Sequence, residues 1–405
     1  MSALVAGIRQ VSAGPVLHVD LDAVAANTRR FVRTARGEVM AVVKADGFGH
    51  GLAAVAATAL ANGATWIGVT SIAEAVAVRE SGVDAPVLSW LNQVDADVSA
   101  AWRHGIDLSV PSLEHLAAIE HSGRPVRVHL QLDTGMARDG AAPDTWLALM
   151  AAARRVEVAG RVRVVGVMGH LARADEPGDP ANADGRQAML RGVEMARQAG
   201  LRPSVRHLAA TSATLTDPCT HLDMVRIGAG LVGIDPSGTT RLRPALRLAA
   251  PVVQVRRVTA GTGVGYGHTH IIERATTLAL LPVGYADGLR RAVSGQAEVL
   301  LAGRRRPVVG MVSMDQAVVD VGDDPVVPGV EAKALSDAAL RVYEALGCRD
   351  IARVDFFLTD EGFVLNEVNT MPGMTAQSQV PKMFAAAGLS YPDLLDRLIR
   401  SAMTR

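Results

Sequence analysis

A single lysine lies where a buried strand is expected to end, and this setting suits it to chemistry. The apolar residues Met40–Val43 come directly before Lys44, and the β-branched Val42 and Val43 favour a strand that is buried on both faces. The glycine-rich segment Ala45–Gly51 follows. A lysine whose apolar stem lies in a partly dry pocket can form a Schiff base or accept a proton. The alternative is a solvated lysine at the exit of a strand.

The segments around Lys44 alternate between strand and helix patterns. A strand at 16–22 leads to Asp22, which is predicted to cap a helix that ends at Arg33, and further helices are predicted at 52–61 and 72–81. The eight strands predicted after the first helix are Met40–Val43, Ala64–Thr70, Ala85–Trp90, Ile106–Val110, Val126–Asp133, Val162–His170, Val205–Ala210 and Met224–Gly233. This alternation predicts a parallel sheet, and eight such units predict an α/β fold with a (β/α)8 TIM barrel.

Five of the predicted strands offer a polar side chain near the carboxyl end, where barrels of this kind carry their chemistry. These side chains are Lys44, Arg138, His170, Thr211 and Arg226. Each alone has a structural alternative, because His170 fits a hydrogen-bonded core histidine and Arg226 fits a surface ion pair. Together they predict a cationic site at the mouth of the barrel.

The second half of the chain follows other patterns. From Arg243 onward, short strands separated by glycines predict a small all-β domain, with strands at 252–258, 276–282, 297–302, 306–309 and 317–321. After 323–329 the pattern changes to a helix at 335–346, paired strands at 353–358 and 363–368, and a helix at 391–402. The predicted domains are therefore 1–242 for the barrel, 243–325 for the β domain and 326–405 for a separate α+β segment.

Composition excludes several classes of function. Lysine plus arginine and aspartate plus glutamate both number 41, so no basic field indicates a nucleic acid or an anionic membrane as partner. Cys219 and Cys348 are too few for a disulfide framework. No apolar run reaches the roughly 18 residues that a membrane span needs. A cytoplasmic protein is expected.

With these residues in view, the first 325 or so positions resemble the alanine racemases, which are pyridoxal 5'-phosphate enzymes with a (β/α)8 barrel and a carboxy-terminal β domain. The motifs that carry the resemblance are 42–51, 132–138, 167–170, 223–228, 263–267, 284–288 and 312–315. The resemblance implies interconversion of L-alanine and D-alanine, which supplies D-alanine for peptidoglycan. It also implies a homodimer with shared active sites.

The resemblance assigns two catalytic bases and two substrate contacts. Lys44 is similar to the lysine that carries the cofactor and takes the Cα proton from one face. Tyr266 resembles the base on the opposite face, since racemisation needs a base on each side of Cα. A phenol needs a nearby cation to act near neutral pH. Arg138 resembles the arginine that steers this tyrosine and contacts the substrate carboxylate, and Met314 resembles the methionine whose backbone amide contacts substrate.

The same resemblance assigns the residues that hold the cofactor, with alanine as the small-molecule substrate and no metal ion. These residues are Lys44, His170, Thr211, Arg226, Gly228 and Ala229. His170 resembles the histidine near the cofactor ring. Arg226 resembles the arginine at the pyridine nitrogen, which disfavours side reactions because it keeps that nitrogen unprotonated. Thr211 resembles the phosphate-binding hydroxyl, for which Ser212 is an alternative.

Several positions differ from the racemase pattern. Phe48 replaces a tyrosine that usually contacts the phosphate, which is expected to weaken binding by about 0.5–1.5 kcal/mol. Gln131 replaces a lysine, often carbamylated, that usually supports the arginine corresponding to Arg138. Tyr285 resembles a residue at the substrate entrance. The usual second tyrosine of the carboxy-terminal gate has no counterpart.

Residues from about 335 to the end instead resemble the last part of the D-alanine–D-alanine ligases, an ATP-grasp family. The matching segments are 353–357 and 366–375, with Ser378. In that family the positions of Asp355, Glu367 and Asn369 bind Mg²⁺, for which oxygen ligands are suited. A segment of about 80 residues is expected to lack the nucleotide-binding parts of a whole ligase.

Three alternatives remain open beside the racemase. The first is a barrel that binds the cofactor with impaired or no racemase activity because of the fused tail. The second is an ATP-grasp ligase remnant. The third is a related barrel decarboxylase, which the pair Lys44 and Tyr266 disfavours because decarboxylation needs no base on each face.

Overall fold

A computed structural model describes residues 14–301, 303–323, 332–359, 362–375, 378–386 and 389–403. Contacts divide the chain into two compact units, of which one covers His18–Arg247 and the other consists mainly of Leu248–Arg405. Among the described residues, no helix is both long and apolar enough to cross a membrane.

Eight parallel strands of the first unit close into a barrel, as predicted. In chain order the first to eighth barrel strands are Glu38–Val42, Trp66–Val69, Val87–Ser89, Ile106–Val110, Val126–Gln131, Val162–Met168, Val205–His207 and Met224–Ile227. The first and eighth strands close the ring, with Glu38 opposite Met224 and Ala41 opposite Ile227. Most observed strands are shorter than the runs that predicted them, because the end residues of those runs, apolar ones such as 208–210 among them, belong to the connecting segments.

Helices alternate with the barrel strands. They are Leu21–Thr34, Leu52–Ala61, Ile72–Glu80, Val98–Arg103, Leu113–His121, Trp146–Val158, Pro180–Gln198 and Thr211–Thr216. The predicted cap of the first helix is wrong, because Asp20 and not Asp22 is the N-cap, and its Oδ1 accepts from the amide of Ala23 at 2.9 Å. Asp22 lies in the first turn, where its negative charge still complements the helix dipole.

The barrel interior has an apolar lining with a polar centre. The lining consists of Met40, Trp66, Leu88, Met168, Val205 and Met224. Against it lie the fully buried rings of His129 and His207, and Arg226 is 5% exposed. Buried polar groups of this kind are retained only when they are hydrogen-bonded, so their partners define what the interior can do.

In the second unit, five strands form one antiparallel sheet, which confirms the predicted β domain. Their order in the sheet is Gln254–Val258, Thr276–Leu281, Ala317–Gly322, Arg304–Val309 and Glu298–Leu301. Two very short strands, Gly263–Val264 and His270–Ile271, form a separate pair that the sequence did not predict. Each has only two residues, which is too short for a pattern of alternation.

The last segment contains the predicted helix, here Ala332–Ala345, and the predicted strand pair, here Arg353–Thr359 with Gly362–Asn369. The closing helix is Tyr391–Met403, and an additional helix, Gln379–Ala386, was not predicted. The predicted domain boundary near residue 326 lies outside the described residues and stays a prediction.

Candidate active site

Lys44 comes two residues after the first barrel strand, at the start of an unusual backbone segment. Ala45, Asp46, Gly47 and Phe48 all have φ between 53° and 63°, so four successive residues are left-handed. Left-handed conformations cost free energy for residues other than glycine, and they persist only where surrounding contacts determine them. The loop therefore fixes the direction in which the chain leaves Lys44.

Glu74 holds this strained loop. Its Oε1 accepts from the amide of Ala45 at 2.7 Å, and its Oε2 accepts from the hydroxyl and amide of Thr70 and from the amide of Ser71. Burial opposes ionisation of this carboxyl, but the hydrogen bonds from Thr70, Ala45 and Ser71 outweigh it and lower the pKa. Glu74 is thus a charged anchor under the loop that carries Lys44.

Replacing Glu74 by glutamine is expected to destabilise the barrel by about 1–3 kcal/mol, because an amide nitrogen cannot accept the bonds that the carboxylate accepts. Urea unfolding measures this effect through tryptophan fluorescence, since Trp66, Trp90, Trp102 and Trp146 are the chain's only tryptophans and all lie in the barrel. Glu80→Gln, at the exposed end of the same helix, is the matched control. Equal midpoints for the two variants would contradict the anchoring role.

Arg226 lies at the centre of a dense set of acceptors. Its Nη1 donates to Nδ1 and to the carbonyl oxygen of His207, both at 3.0 Å. Its Nη2 donates to the carbonyl oxygens of Gly169 and Leu208 and, at 3.0 Å, to Nδ1 of His170. The guanidinium is therefore fixed in one orientation across the sixth, seventh and eighth strands.

Four of the predicted site residues are brought together electrostatically. Burial, followed by the charges of Arg226, Arg138 and Lys44, lowers the pKa of His170 to about 3. Burial and then Arg138 lower the pKa of Arg226 to about 10, so it remains a cation near neutral pH. Because Arg226 can only donate, Nδ1 of His170 accepts and its proton lies on Nε2. The mouth of the barrel thus holds a neutral imidazole among the basic side chains of Arg226, Arg138 and Lys44.

This arrangement predicts that acid destabilises the barrel from about pH 6.5 downward. The imidazoles of His170 and His207 take up protons in the unfolded chain near their reference pKa of 6.5, but in the folded protein their pKa is lowered, chiefly by burial. The unfolded state then binds more protons, and each group is expected to cost about 2 kcal/mol of unfolding free energy between pH 7 and pH 5. Urea unfolding at the two pH values, followed by tryptophan fluorescence, measures the difference.

His170→Asn is the control, because its amide oxygen can accept from Arg226 but does not titrate in this range. It should remove about half of the pH dependence that His170 and His207 produce together. A wild-type unfolding free energy that is the same at pH 7 and pH 5 would contradict the prediction.

Arg138 follows a tight turn after the fifth strand. The carboxylate of Asp133 accepts from the amides of Gly135, Met136 and Ala137, at 2.9 to 3.1 Å. Burial alone would raise the pKa of Asp133, but these hydrogen bonds lower it. Ala137, with φ of 54°, is left-handed directly before the exposed Arg138. The turn is thereby held rigid beneath the arginine.

Gln131 has a partner that its position in the sequence did not indicate. Its Nε2 donates to Oδ2 of Asp139 at 2.8 Å, while its Oε1 is buried and has no hydrogen-bond partner among the described residues. Gln131, Arg138, His170 and Arg226 line one small pocket. An unsatisfied buried acceptor in a pocket lined by two arginines is suited to receive a donor from Arg138 or from a ligand.

Thr211 and Ser212 are almost completely buried at the end of the seventh strand. Oγ1 of Thr211 accepts from the amide of Gly230 at 3.2 Å, and Gly228 and Ala229 directly follow the eighth strand. A Cβ on Gly230 would lie 2.4 Å from the Phe31 ring, so only glycine permits this close packing. Hydroxyl and backbone amide groups at two neighbouring strand ends can bind a phosphate.

Tyr266 and Met314 belong to the second unit, and their places at an active site stay predictions. Tyr266 is 69% exposed between the two short strands, flanked by the left-handed Gly265 and Gly267. Met314 is 55% exposed, and its carbonyl oxygen accepts from the amide of Ala286 at 2.9 Å. The four tyrosines of the chain, Tyr266, Tyr285, Tyr343 and Tyr391, all lie outside His18–Arg247. The barrel unit therefore contributes no phenol of its own.

The ligase-like acidic residues are engaged by the protein itself. Nη2 of Arg353 lies 2.9 Å from Asp355 and 2.7 Å from Glu367, and these two carboxylates raise the pKa of Arg353. Oδ1 of Asn369 accepts from the amide of Met371 at 3.0 Å. Within the described residues, no group of three or more histidine, cysteine or acidic side chains is arranged to hold a metal ion.

Sequence reasoning missed Glu74, Asp107, His129 and His207. Glu74 could have been found in part, because Ser71 and Glu74 have the spacing of a capping box, but its bond to the amide of Ala45 joins residues 29 positions apart. The contacts of Asp107, His129 and His207 join different strands, and no local pattern reveals them. For these contacts the lone histidines in the fifth and seventh strands were the one available signal, since a charged or polar residue inside a buried strand needs a partner.

Comparisons with known proteins agree with this architecture. The models named "Alanine racemase, N-terminal domain" and "Alanine racemase, C-terminal domain" match residues 19–236 and 245–351, and "D-ala D-ala ligase C-terminus" matches 315–400. The chain is 45% identical over 322 residues to an alanine racemase from Thermobifida fusca, with 78% of this chain and 86% of the relative covered. The solved alanine racemase from Streptomyces coelicolor A3(2) is 40% identical and has a TM-score of 0.76, with 79% of this chain and 88% of that chain covered. The chain therefore belongs to the alanine racemase family of isomerases.

Proposed function

We propose that the protein interconverts L-alanine and D-alanine with pyridoxal 5'-phosphate, and that it supplies D-alanine for peptidoglycan in the cytoplasm. The observation that carries the proposal is that Lys44 follows the first barrel strand, at the same end of the barrel as Arg138, His170 and Arg226, of which the last two are joined by a hydrogen bond that Arg226 donates. Membership of the alanine racemase family supports the choice of substrate and reaction.

The residues at the mouth fit the cofactor. Lys44 is the only lysine of the barrel and one of three in the chain, with Lys333 and Lys382, so it is the one residue of this unit that could form a Schiff base with the cofactor. Thr211 and the amides of Gly228 and Ala229 would bind the phosphate, and Arg226 would donate to the ring nitrogen. His170 would contact the ring as a neutral imidazole. When bound, the cofactor withdraws electrons from the substrate and so makes its Cα proton acidic.

Two bases of this chain would act on that proton. The Lys44 amine would hold or release it on one face of Cα, and the Tyr266 phenol would do so on the other. Because the barrel has no tyrosine, the phenol must come from the second unit, and we propose that the partner protomer of a homodimer supplies it. Arg138 would bind the substrate carboxylate through its planar fork, and the Met314 amide would contact the substrate.

A chirality assay tests the proposal. Purified protein loaded with pyridoxal phosphate is expected to convert L-alanine and D-alanine into each other and to exchange their Cα proton in D₂O. Sedimentation of the same sample should show a dimer. Bound cofactor without exchange or racemisation would overturn the proposed activity while leaving the family assignment intact.

The tail supports one second candidate, a cofactor-binding barrel with impaired turnover. The ligase-like match starts at residue 315, inside the racemase match that ends at 351, so the two patterns overlap where the racemase domain is normally continued. If this candidate is right, the protein would show the visible absorbance band of the bound cofactor, whereas its alanine racemisation would be weak.

We propose that the domains are 1–242 for the barrel, 243–325 for the β domain and 326–405 for the ligase-like segment.

A further inference from the structure

A chain of buried polar side chains runs through the barrel interior from Arg226 to the opposite end. Nη1 of Arg226 donates to Nδ1 of His207 at 3.0 Å, and Nε2 of His207 lies 2.9 Å from Nδ1 of His129. Nε2 of His129 lies 3.4 Å from Oδ2 of Asp107, and Arg127 donates from Nε to the other oxygen of that carboxylate at 2.7 Å. Asp107 is at the start of the fourth strand, whereas Arg226 lies near the end of the eighth.

The barrel is built to hold these rings. Asp107, His129 and His207 are fully buried, and a Cβ on Gly166 would lie 2.1 Å from Nδ1 of His129. Gly166 is also the register neighbour of His129 in the next strand, so a glycine is required exactly where the imidazole passes. The indole of Trp66 meets His129 edge to face at 5.6 Å. These contacts leave the imidazole little freedom to rotate.

Along this series of buried side chains, from Arg226 to Asp107, only one arrangement of the imidazole protons gives every donor an acceptor. A guanidinium only donates, so Nδ1 of His207 must accept and its proton lies on Nε2. That proton faces Nδ1 of His129, which must accept in turn, so the proton of His129 lies on Nε2 and faces Asp107. Nε2 of His129 and Oδ2 of Asp107 have no hydrogen-bond partner among the described residues, but a carboxylate only accepts, so at 3.4 Å its negative charge favours a proton on Nε2 of His129. Both ends therefore require the same tautomer of His207.

We propose that Asp107 and His129 are positioning residues for Arg226: the carboxylate fixes the tautomer of His129, which fixes the tautomer of His207, which holds the guanidinium in place. The opposite tautomer of His207 would point a proton at Arg226 and displace it from the mouth. The consequence for the cofactor rests on the proposed function, whereas the tautomers themselves do not.

Asp107→Asn tests the proposal, because Arg127 constrains how the amide is placed. Arg127 donates, so it retains the amide oxygen and turns the amide NH₂ group toward His129. His129 and His207 must then reverse their tautomers. The proton on Nδ1 of His207 would then face the N–H group of Arg226, so that two donors meet. In Asp107→Leu the side chain has a similar shape but no hydrogen-bonding group. Arg226 alone then continues to set the tautomer of His207.

Imidazole ¹⁵N spectra of the apo protein give the first readout. In the wild type, the rings of His129 and His207 are expected to carry protons on Nε2, and in Asp107→Asn both should carry protons on Nδ1. Asp107→Leu should keep the wild-type pattern at His207. A wild-type proton on Nδ1 of either ring, or a His207 pattern unchanged in Asp107→Asn, overturns the proposal, and the wild-type measurement stands even if a variant fails to fold.

Titration of the apo protein with pyridoxal phosphate gives the second readout. Loss of a hydrogen bond to a charged group corresponds to about tenfold or more in affinity, so Asp107→Asn is expected to raise the dissociation constant by about tenfold. Asp107→Leu should raise the dissociation constant less than Asp107→Asn does. If Asp107 had only a structural role, the less conservative replacement by leucine would raise the dissociation constant more. If the wild type binds no cofactor, the proposed function fails, while the ¹⁵N pattern still decides the tautomers.

Discussion

Lys44→Ala is expected to abolish covalently bound cofactor and to reduce racemisation by more than about 10⁴-fold, since in the proposed mechanism this one residue serves both as attachment point and as general base. The left-handed segment 45–48 fixes the chain directly after Lys44, so a neighbouring residue cannot take its place. The barrel also contains no other lysine. The measurements are the visible absorbance of the bound cofactor and alanine racemisation under saturating cofactor.

Borohydride reduction followed by peptide mapping makes this prediction specific. Only three lysines exist in the chain, and the label is expected on the peptide that contains Lys44. Lys382→Ala, in the ligase-like segment, is the matched control and should keep both the label and the activity. A label on Lys333 or Lys382 in the wild type would show that the barrel mouth does not hold the cofactor.

The barrel could be predicted because its signals are local. Runs of four to ten mostly apolar residues alternate with helical segments, and each run indicates its own burial without information about its partner strand. The end of the first strand just before Lys44 was predicted for the same reason, because the apolar run stops at Val43, one residue beyond the observed end at Val42. The β domain was likewise visible from strands such as 276–281 and 317–322.

The interior network could not be predicted, because its contacts join residues that are far apart in sequence. His129 and His207 are separated by 78 positions, and neither segment indicates which ring nitrogen will face the other. The left-handed run at 45–48 was also hidden. Alanine and phenylalanine ordinarily avoid this conformation. It is held by Glu74, 29 residues after Ala45, and by the hydrogen bond from the amide of Leu52 to Oδ1 of Asp46.

Small errors in the predicted elements have equally physical causes. Asp20 and Asp22 both precede an apolar helical pattern, and either could cap it by residue type alone. Asp20 is the N-cap because its amide also donates to the carbonyl oxygen of Ala245 at 2.8 Å, which lies 225 positions further along the chain. Tertiary contacts therefore decide between two local solutions of similar free energy.

The electrostatics of the mouth connect these contacts to function. His170 and His207 are kept neutral by burial and by Arg226, and Arg226 is kept charged although it is buried. Its five acceptors replace the water that a guanidinium would otherwise bind. In the proposed function, a cation held in this way can face the ring nitrogen of the cofactor without giving up its proton. Proton transfer would then occur at Cα of the substrate and not at the ring nitrogen.

Tyr266→Phe is expected to lower racemisation by about 10²–10⁴-fold while cofactor binding is unchanged, because in the proposed mechanism it removes one of two bases and no cofactor contact. Tyr343→Phe in the ligase-like segment is the matched control and should leave both unchanged. The decisive measurement is Cα proton exchange in D₂O, followed separately for L-alanine and D-alanine by NMR.

The two-base arrangement predicts an asymmetric result in Tyr266→Phe. Lys44 remains able to remove the proton of the enantiomer whose Cα proton it faces, so that enantiomer should exchange with solvent faster than it racemises. The other enantiomer should lose exchange and racemisation together, because its proton points away from the only remaining base. Equal loss of exchange for both enantiomers would place Tyr266 in substrate binding rather than in proton transfer. Full retention of racemisation would assign the second base to another group.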